Sequence, residues 1–213
     1  MIRRKPGDER PAGWTPELKV PPTTLWLPVA SDKPLQDLGR EAALNVLGSG
    51  APEDKMKQFA RVIRDGTEAS RRRGARMGGL IFFPDYNRLP PIANIDVFGA
   101  FPRDETQGSL EYYREQLGTP GKNTVGPVEV TDLQLPAGPA IRVHRRFWPE
   151  QMTWYPTAHL WEEVIFAVRP PRIEATVLLS VGWVEFAFSE ALINAADAIA
   201  PTLEIKPRDD WHS

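Results

Sequence analysis

The sequence predicts an α+β fold: a single antiparallel sheet with helices packed against it, the C-terminal helix folding back on the sheet. Three observations carry this. Ile173, Ala175, Val177, Leu179 and Val181 alternate at the period of a strand with a buried face, and Leu192, Ile193, Ala196, Ile199 and Ala200 then form a helical apolar stripe. From Val128 to Val181 the strands follow one another through short turns, as antiparallel neighbours do. The helices lie outside this strand run, which separates α+β from α/β.

The elements follow in order. Residues 1–22 carry Pro6, Pro11, Pro16, Pro21 and Pro22, with Trp14 and Leu18 as their large apolar groups, and read as a flexible arm. Its deletion is expected to leave the melting temperature nearly unchanged. The domain runs from 23 to 206, with a polar tail at 207–213. Thr23 to Leu27 is a short strand stopped by Pro28. Leu35, Leu38, Ala42 and Val46 share one helical face; Met56, Phe59, Ala60, Ile63 and Thr67 share another. A Gly48-Ser49-Gly50 turn makes these two helices a hairpin. Leu80–Phe83 and Ile92–Phe101 are strands around a loop at 84–91. Asp104 or Thr106 starts a helix that ends at Gly118. Strands at Val128–Val130 and Ala140–Trp148 flank a turn at Pro136–Pro139, and His159–Val168 leads into the strand described first. A phase slip after Gly182 predicts a bend or bulge. Ser189 has the character of an N-cap.

Composition narrows the function classes. The net charge is −2, so no global basic field recruits nucleic acid or an anionic membrane. Cysteine is absent, which removes disulfides, thiolate metal sites and a cysteine nucleophile. No apolar run approaches the ~20 residues of a membrane span. Met1 to Pro6 is basic without the apolar segment of a signal peptide, so a cytoplasmic protein is expected. Arg71, Arg72, Arg73 and Arg76 are either a phosphate grip or a solvated helix C-terminus, where cations suit the dipole. Gly74, Gly78 and Gly79 lack the Gly-Lys-Ser/Thr of a phosphate loop.

The stretch Val177-Leu178-Leu179-Ser180, leading to Ala195-Ala196-Asp197-Ala198-Ile199-Ala200-Pro201-Thr202-Leu203, resembles the end of PsbP-like α+β domains, which include small actinobacterial proteins of unknown role. The resemblance covers about the last third of the chain and rests on pattern. It implies a sheet backed by helices, in a family usually made of binding or assembly factors. The proline-rich arm, the early helical hairpin and the lack of an export signal depart from exported members.

Candidate site residues come from the hairpin after Ala140. Centred near Thr153, it sets Trp148 opposite His159, Arg146 opposite Trp161 and His144 opposite Glu163. One face then holds Val143, Phe147, Leu160, Val164 and Phe166. The other collects Arg142, His144, Arg146, Trp148, His159, Trp161 and Glu163, with Trp154 and Tyr155 on the connecting loop. Tryptophan and arginine are enriched at binding hot spots, so this face is the expected partner surface. A plain solvated face with cross-strand ion pairs fits the same pattern. His144 beside Glu163 would make an oriented base, and His144, His159 and Glu163 a possible metal set, yet no nucleophile motif accompanies them. No catalytic residue, cofactor or metal is expected. The expected function is a non-enzymatic protein-interaction or assembly module, binding a protein partner or a second copy, with no membrane and no nucleic acid. The alternative is a small-ligand binding protein or enzyme with a pocket between sheet and helices.

Overall fold

The computed structural model describes residues 14–82, 91–100, 108–149, 159–171, 173 and 175–207. The fold is α+β. Its strands are β1 (Trp14–Glu17), β2 (Thr24–Leu27), β3 (Ala75–Ile81), β4 (Ala93–Ala100), β5 (Glu129–Leu135), β6 (Gly138–Phe147), β7 (Trp161–Val168), β8 (Thr176–Trp183) and β9 (Glu204–Pro207). The helices are α1 (Leu35–Leu47), α2 (Glu53–Arg72), α3 (Leu110–Gly118) and α4 (Ser189–Ile199). Seven strands form one antiparallel sheet in the order β2-β3-β4-β8-β7-β6-β5, and β1 pairs with β9 in a second, two-stranded sheet. The expected single sheet is therefore two.

The large sheet buries both faces. On the first, Ile95, Val97, Val164, Phe166, Val177, Leu179 and Val181 pack with Leu192, Ala196 and Ile199 of α4, and with Trp14 and Leu203 beside the small sheet. The C-terminal helix thus folds back on the sheet, as its apolar stripe predicts. On the second face the α1–α2 hairpin covers the β2–β3 end through Leu27, Phe59, Ile63, Leu80 and Phe82. At the other end α3 packs Tyr113 against Ile141, Val143 and Ala167.

Several expectations are corrected. Trp14–Glu17, assigned to the flexible arm, is a strand, and Trp14 is buried at 2% exposure. The arm was inferred from proline content, and β1 tolerates Pro16 because it lies in a two-stranded sheet. Lys206 and Pro207 likewise belong to β9. The strand expected at Leu80 begins at Ala75, and Gly78 and Gly79 lie inside it. A Cβ on Gly78 would sit 2.9 Å from Ser70 Oγ, and one on Gly79 3.0 Å from the Trp26 ring. These glycines admit close neighbours rather than a phosphate. α3 begins at Leu110, with the Ser109 side chain accepting from Tyr112 N–H at 3.1 Å. The starts proposed at Asp104 and Thr106 lie outside the described residues, as do the 84–90 loop, Arg172 and Glu174.

The bend expected at Gly182 is absent. β8 pairs in unbroken register with β4 through Asn94↔Gly182 and with β7 through Glu163↔Gly182 and Glu162↔Trp183. Glycine is required there because the Trp161 indole lies where a Cβ would project.

Candidate interaction site

Strand β6 and strand β7 pair one residue away from the expected register. Arg146 lies opposite Glu162, Arg145 opposite Glu163, and His144 opposite Val164. A shift of one moves every side chain of one strand to the other face. Arg142, His144 and Arg146 point to the first face, toward α4. Trp161 and Glu163 point to the second. The seven candidate residues therefore do not share a face, and the proposed His144–Glu163 pair does not form. The same shift separates His144 from Glu163 as metal ligands; among the described residues no group of three His, Asp or Glu side chains is arranged to hold a metal.

Glu162 replaces Glu163 at the centre of the first face. Its carboxylate is fully buried. Oε1 accepts from Arg146 Nε at 2.9 Å and lies 2.8 Å from His144 Nε2. Oε2 accepts from Trp183 Nε1 at 3.0 Å and from the Ser189 hydroxyl. Burial pulls the carboxyl upward, but the hydrogen bonds from Ser189, His144 and Arg146 outweigh it and hold Glu162 below its ordinary value. Ser189, expected as an N-cap, opens α4 with helical backbone and gives its hydroxyl to Glu162 instead. Lower on the same row, Arg142 grips Asp197 of α4 through Nε at 2.7 Å and a second nitrogen at 3.2 Å. Arg142 thus fastens α4 to the sheet directly, and His144 and Arg146 do so through Glu162, which holds Ser189 at the helix start.

The row ends at an exposed rim. Half of the Arg146 side chain is exposed, and its guanidinium lies 5.7 Å from the centre of the Phe186 ring, in the short turn before α4. Phe186 is 38% exposed and Trp148, just past β6, 46%. The 121–125 loop flanks the same end of β6: Val125 N–H donates to Arg146 O and Trp148 N–H to Asn123 O, each at 2.8 Å. That pairing sets Val125, also exposed, opposite Arg146. His159 is exposed two residues before β7. Trp154 and Tyr155 lie outside the described residues.

On the second face a buried polar strip lies between α2 and α3. Asp96 accepts from Ser70 Oγ at 2.6 Å and Asn94 Nδ2 at 2.9 Å, and pairs with Arg73. Burial nevertheless pushes its carboxyl up, against the pull of Arg73, Ser70 and Asn94. Glu163 accepts from Arg145 Nε at 2.7 Å. Trp161, Gly182, Ile92 and Val184 line a shallow pocket beside Asn94 whose volume, about 10 Å³, is room for about one water molecule. That is far below the ~300–1,000 Å³ of ordinary ligand sites.

The basic cluster at the end of α2 serves as bracing, with Arg72 alone in a surface pair. Arg71 donates to Val29 O at 3.0 Å and to Pro28 O and Ser31 O. Arg72 pairs with Glu68, Arg73 with Asp96, and the Arg76 guanidinium stacks 4.5 Å over Trp14.

Glu162, Phe186 and Asp197 were missed from sequence. Tandem Glu162-Glu163 left which one faces α4 to the register, and Phe186 reads as a core aromatic. No helix among the described residues is long and apolar enough to cross a membrane.

No protein-family model matches the chain. No curated protein matches it either. Among solved structures it is similar to LpqN of Mycobacterium tuberculosis, described as involved in cell envelope biogenesis, at 14% identity and a TM-score of 0.51, over 94% of this chain and 88% of that one. At this identity the likeness is one of fold.

Proposed function

We propose that this chain is a non-enzymatic protein-interaction or assembly module that presents the rim of Arg146, Trp148 and Phe186 to a protein partner. One observation carries the reading. The Arg146 guanidinium, held by the buried Glu162, lies 5.7 Å from the exposed Phe186 ring, and a second exposed aromatic, Trp148, follows two residues along the chain. A fixed arginine near rigid aromatic groups loses little side-chain freedom on binding, and these residue types dominate hot spots. The PsbP-like resemblance, to a family usually of binding and assembly factors, is in keeping with this. Trp161 and Glu163 are left out of the surface because they are buried on the opposite face.

The test is affinity capture from the native host with the wild-type chain and with Trp148→Ala and Phe186→Ala, read by quantitative mass spectrometry. The reading expects a partner retained by wild type and lost from both variants while their melting curves stay unchanged. Equal recovery of every protein by wild type and variants would refute it.

A further inference from the structure

The His144 ring stands between two carboxylates on the first face of the sheet. Nδ1 lies 3.3 Å from Glu129 Oε2, and Nε2 lies 2.8 Å from Glu162 Oε1. Glu129, the first residue of β5, is the register partner of His144, and side chains directly opposite share a face. The two carboxylates sit in opposite surroundings. The Glu129 side chain is 61% exposed, whereas that of Glu162 is sealed. Glu162 also receives Arg146, Trp183 and Ser189, so its place is fixed without His144. β5 is an edge strand, paired with β6 on one side, so its first residue is held from β6 alone.

An imidazole donates from both nitrogens when it is charged; the neutral ring has one donor and one lone pair. With a carboxylate oxygen against each nitrogen, only the charged ring bonds both. The neutral ring keeps one carboxylate and turns its lone pair toward the other. Position decides which. Glu162 is nearer and buried, so a donor withdrawn from it has no water to replace it. Glu129 turns out to solvent at little cost. The other groups around the ring leave this order unchanged. Arg146 and Arg142, two positions away on β6 to either side, are paired with Glu162 and with Asp197 of α4. Val164, opposite on β7, is apolar. In the first turn of α4 the Ser189 hydroxyl is given to Glu162, and Glu190 is exposed. We propose that His144 is a proton-dependent tie between the edge strand and the α4 anchor. The charged ring joins Glu129 to Glu162. Proton loss releases Glu129, and with it the start of β5, while Nε2–H stays on Glu162 and α4 stays fastened. The tie is present on the acid side of the ring's titration and absent on the alkaline side.

The test is NMR of the histidine ring nitrogens in the isotope-labelled full chain, with melting curves of Glu129→Ala alongside. From about pH 5 to about pH 8, the range in which an imidazole ordinarily changes charge, the His144 ring should pass from a proton on each nitrogen to a proton on Nε2 alone. Glu129→Ala sits at an exposed strand end and leaves the core untouched. It should melt about 1–3 °C further below wild type with the ring charged than with it neutral, the size expected of an exposed ion pair in a chain of this length. In a His144→Gln background that difference should vanish, because glutamine takes up no proton. A neutral ring with its proton on Nδ1 would overturn the proposal, since Glu162 is then the partner released. So would a ring equally protonated at both ends of the range, or a Glu129→Ala deficit that ignores the ring's charge. A pH-dependent deficit that survives in His144→Gln also overturns it, because another group is then responsible. Should His144→Gln fold poorly, the ring's tautomer and the Glu129→Ala melts decide on their own.

Discussion

Arg146 and Glu162 face each other across β6 and β7, one half exposed and the other sealed, with the guanidinium donating at 2.8–2.9 Å to the buried carboxylate. This pair joins the rim to the core. The carboxylate also receives Trp183 and Ser189, so it ties β6, β8 and the start of α4 to a single charge.

Glu162→Gln should destabilise the fold by about 1–3 kcal/mol, because an amide N–H₂ then meets donors that expected an acceptor. The pH dependence has a definite sign. Glu162 is held below its ordinary value in the fold, so its contribution is fully present above the unfolded value and is lost as pH falls through the folded one. Chemical denaturation of wild type and Glu162→Gln from pH 7 down to pH 3 should therefore show the two stabilities converging. A constant gap would mean that the carboxylate's charge is irrelevant to the fold.

Asp96 has the opposite sign. Burial raises it, so its contribution is greatest below the unfolded value and declines as pH rises through the folded one. Asp96→Asn removes that decline, and the variant should lose less stability relative to wild type at neutral pH than at pH 4. Denaturant titration at both values checks this; a larger loss at neutral pH would show that the Arg73 pairing outweighs burial.

The architecture was legible because periodicity reports which residues are buried. Leu179, Leu192 and Ile199 were recognisable as one core from spacing alone. Register was not legible. The β6–β7 connection runs through 150–158, and with glutamates adjacent at 162 and 163, one on each face of β7, a slip of one exchanged Glu162 for Glu163. Hydrophobic alternation pins register when one face is solvated; β7 is buried on both faces along its whole length, so its sequence lacks that contrast. Glycines misled in the same way. Gly78 and Gly79 precede the strand expected at Leu80 and Gly182 predicts a bend or bulge, yet each stands inside a strand where a neighbour fills the space of a Cβ.

Gly182→Ala isolates that last effect. The new methyl would overlap the Trp161 ring, whose own side is closed by packing at 4% exposure. Overpacking of this kind costs about 1–3 kcal/mol. The shift should appear in Trp161 fluorescence as well as in stability. A bulge at this position would accept alanine at no cost, and an unchanged midpoint would restore it.

Trp14 gives the sharpest contrast with the proline-rich appearance of the N-terminal stretch. Its indole is buried beneath the Arg76 guanidinium and packs in the same core as α4. Trp14→Ala should cost about 3–5 kcal/mol, the usual range for a buried large aromatic. Deleting residues 1–22 removes both this ring and β1, and should lower the melting temperature on the order of 10 °C. Trp14→Phe separates packing from hydrogen bonding. Trp14 Nε1 is buried without a hydrogen-bond partner among the described residues, so phenylalanine discards an unsatisfied donor while keeping much of the apolar contact. Its cost should be less than half that of alanine. Calorimetry on the three variants decides the matter: a deletion that melts with wild type would return this segment to the status of a dispensable arm, and a Trp14→Phe as damaging as Trp14→Ala would mean that the ring's size and its stack under Arg76, rather than burial of apolar area, hold β1 in place.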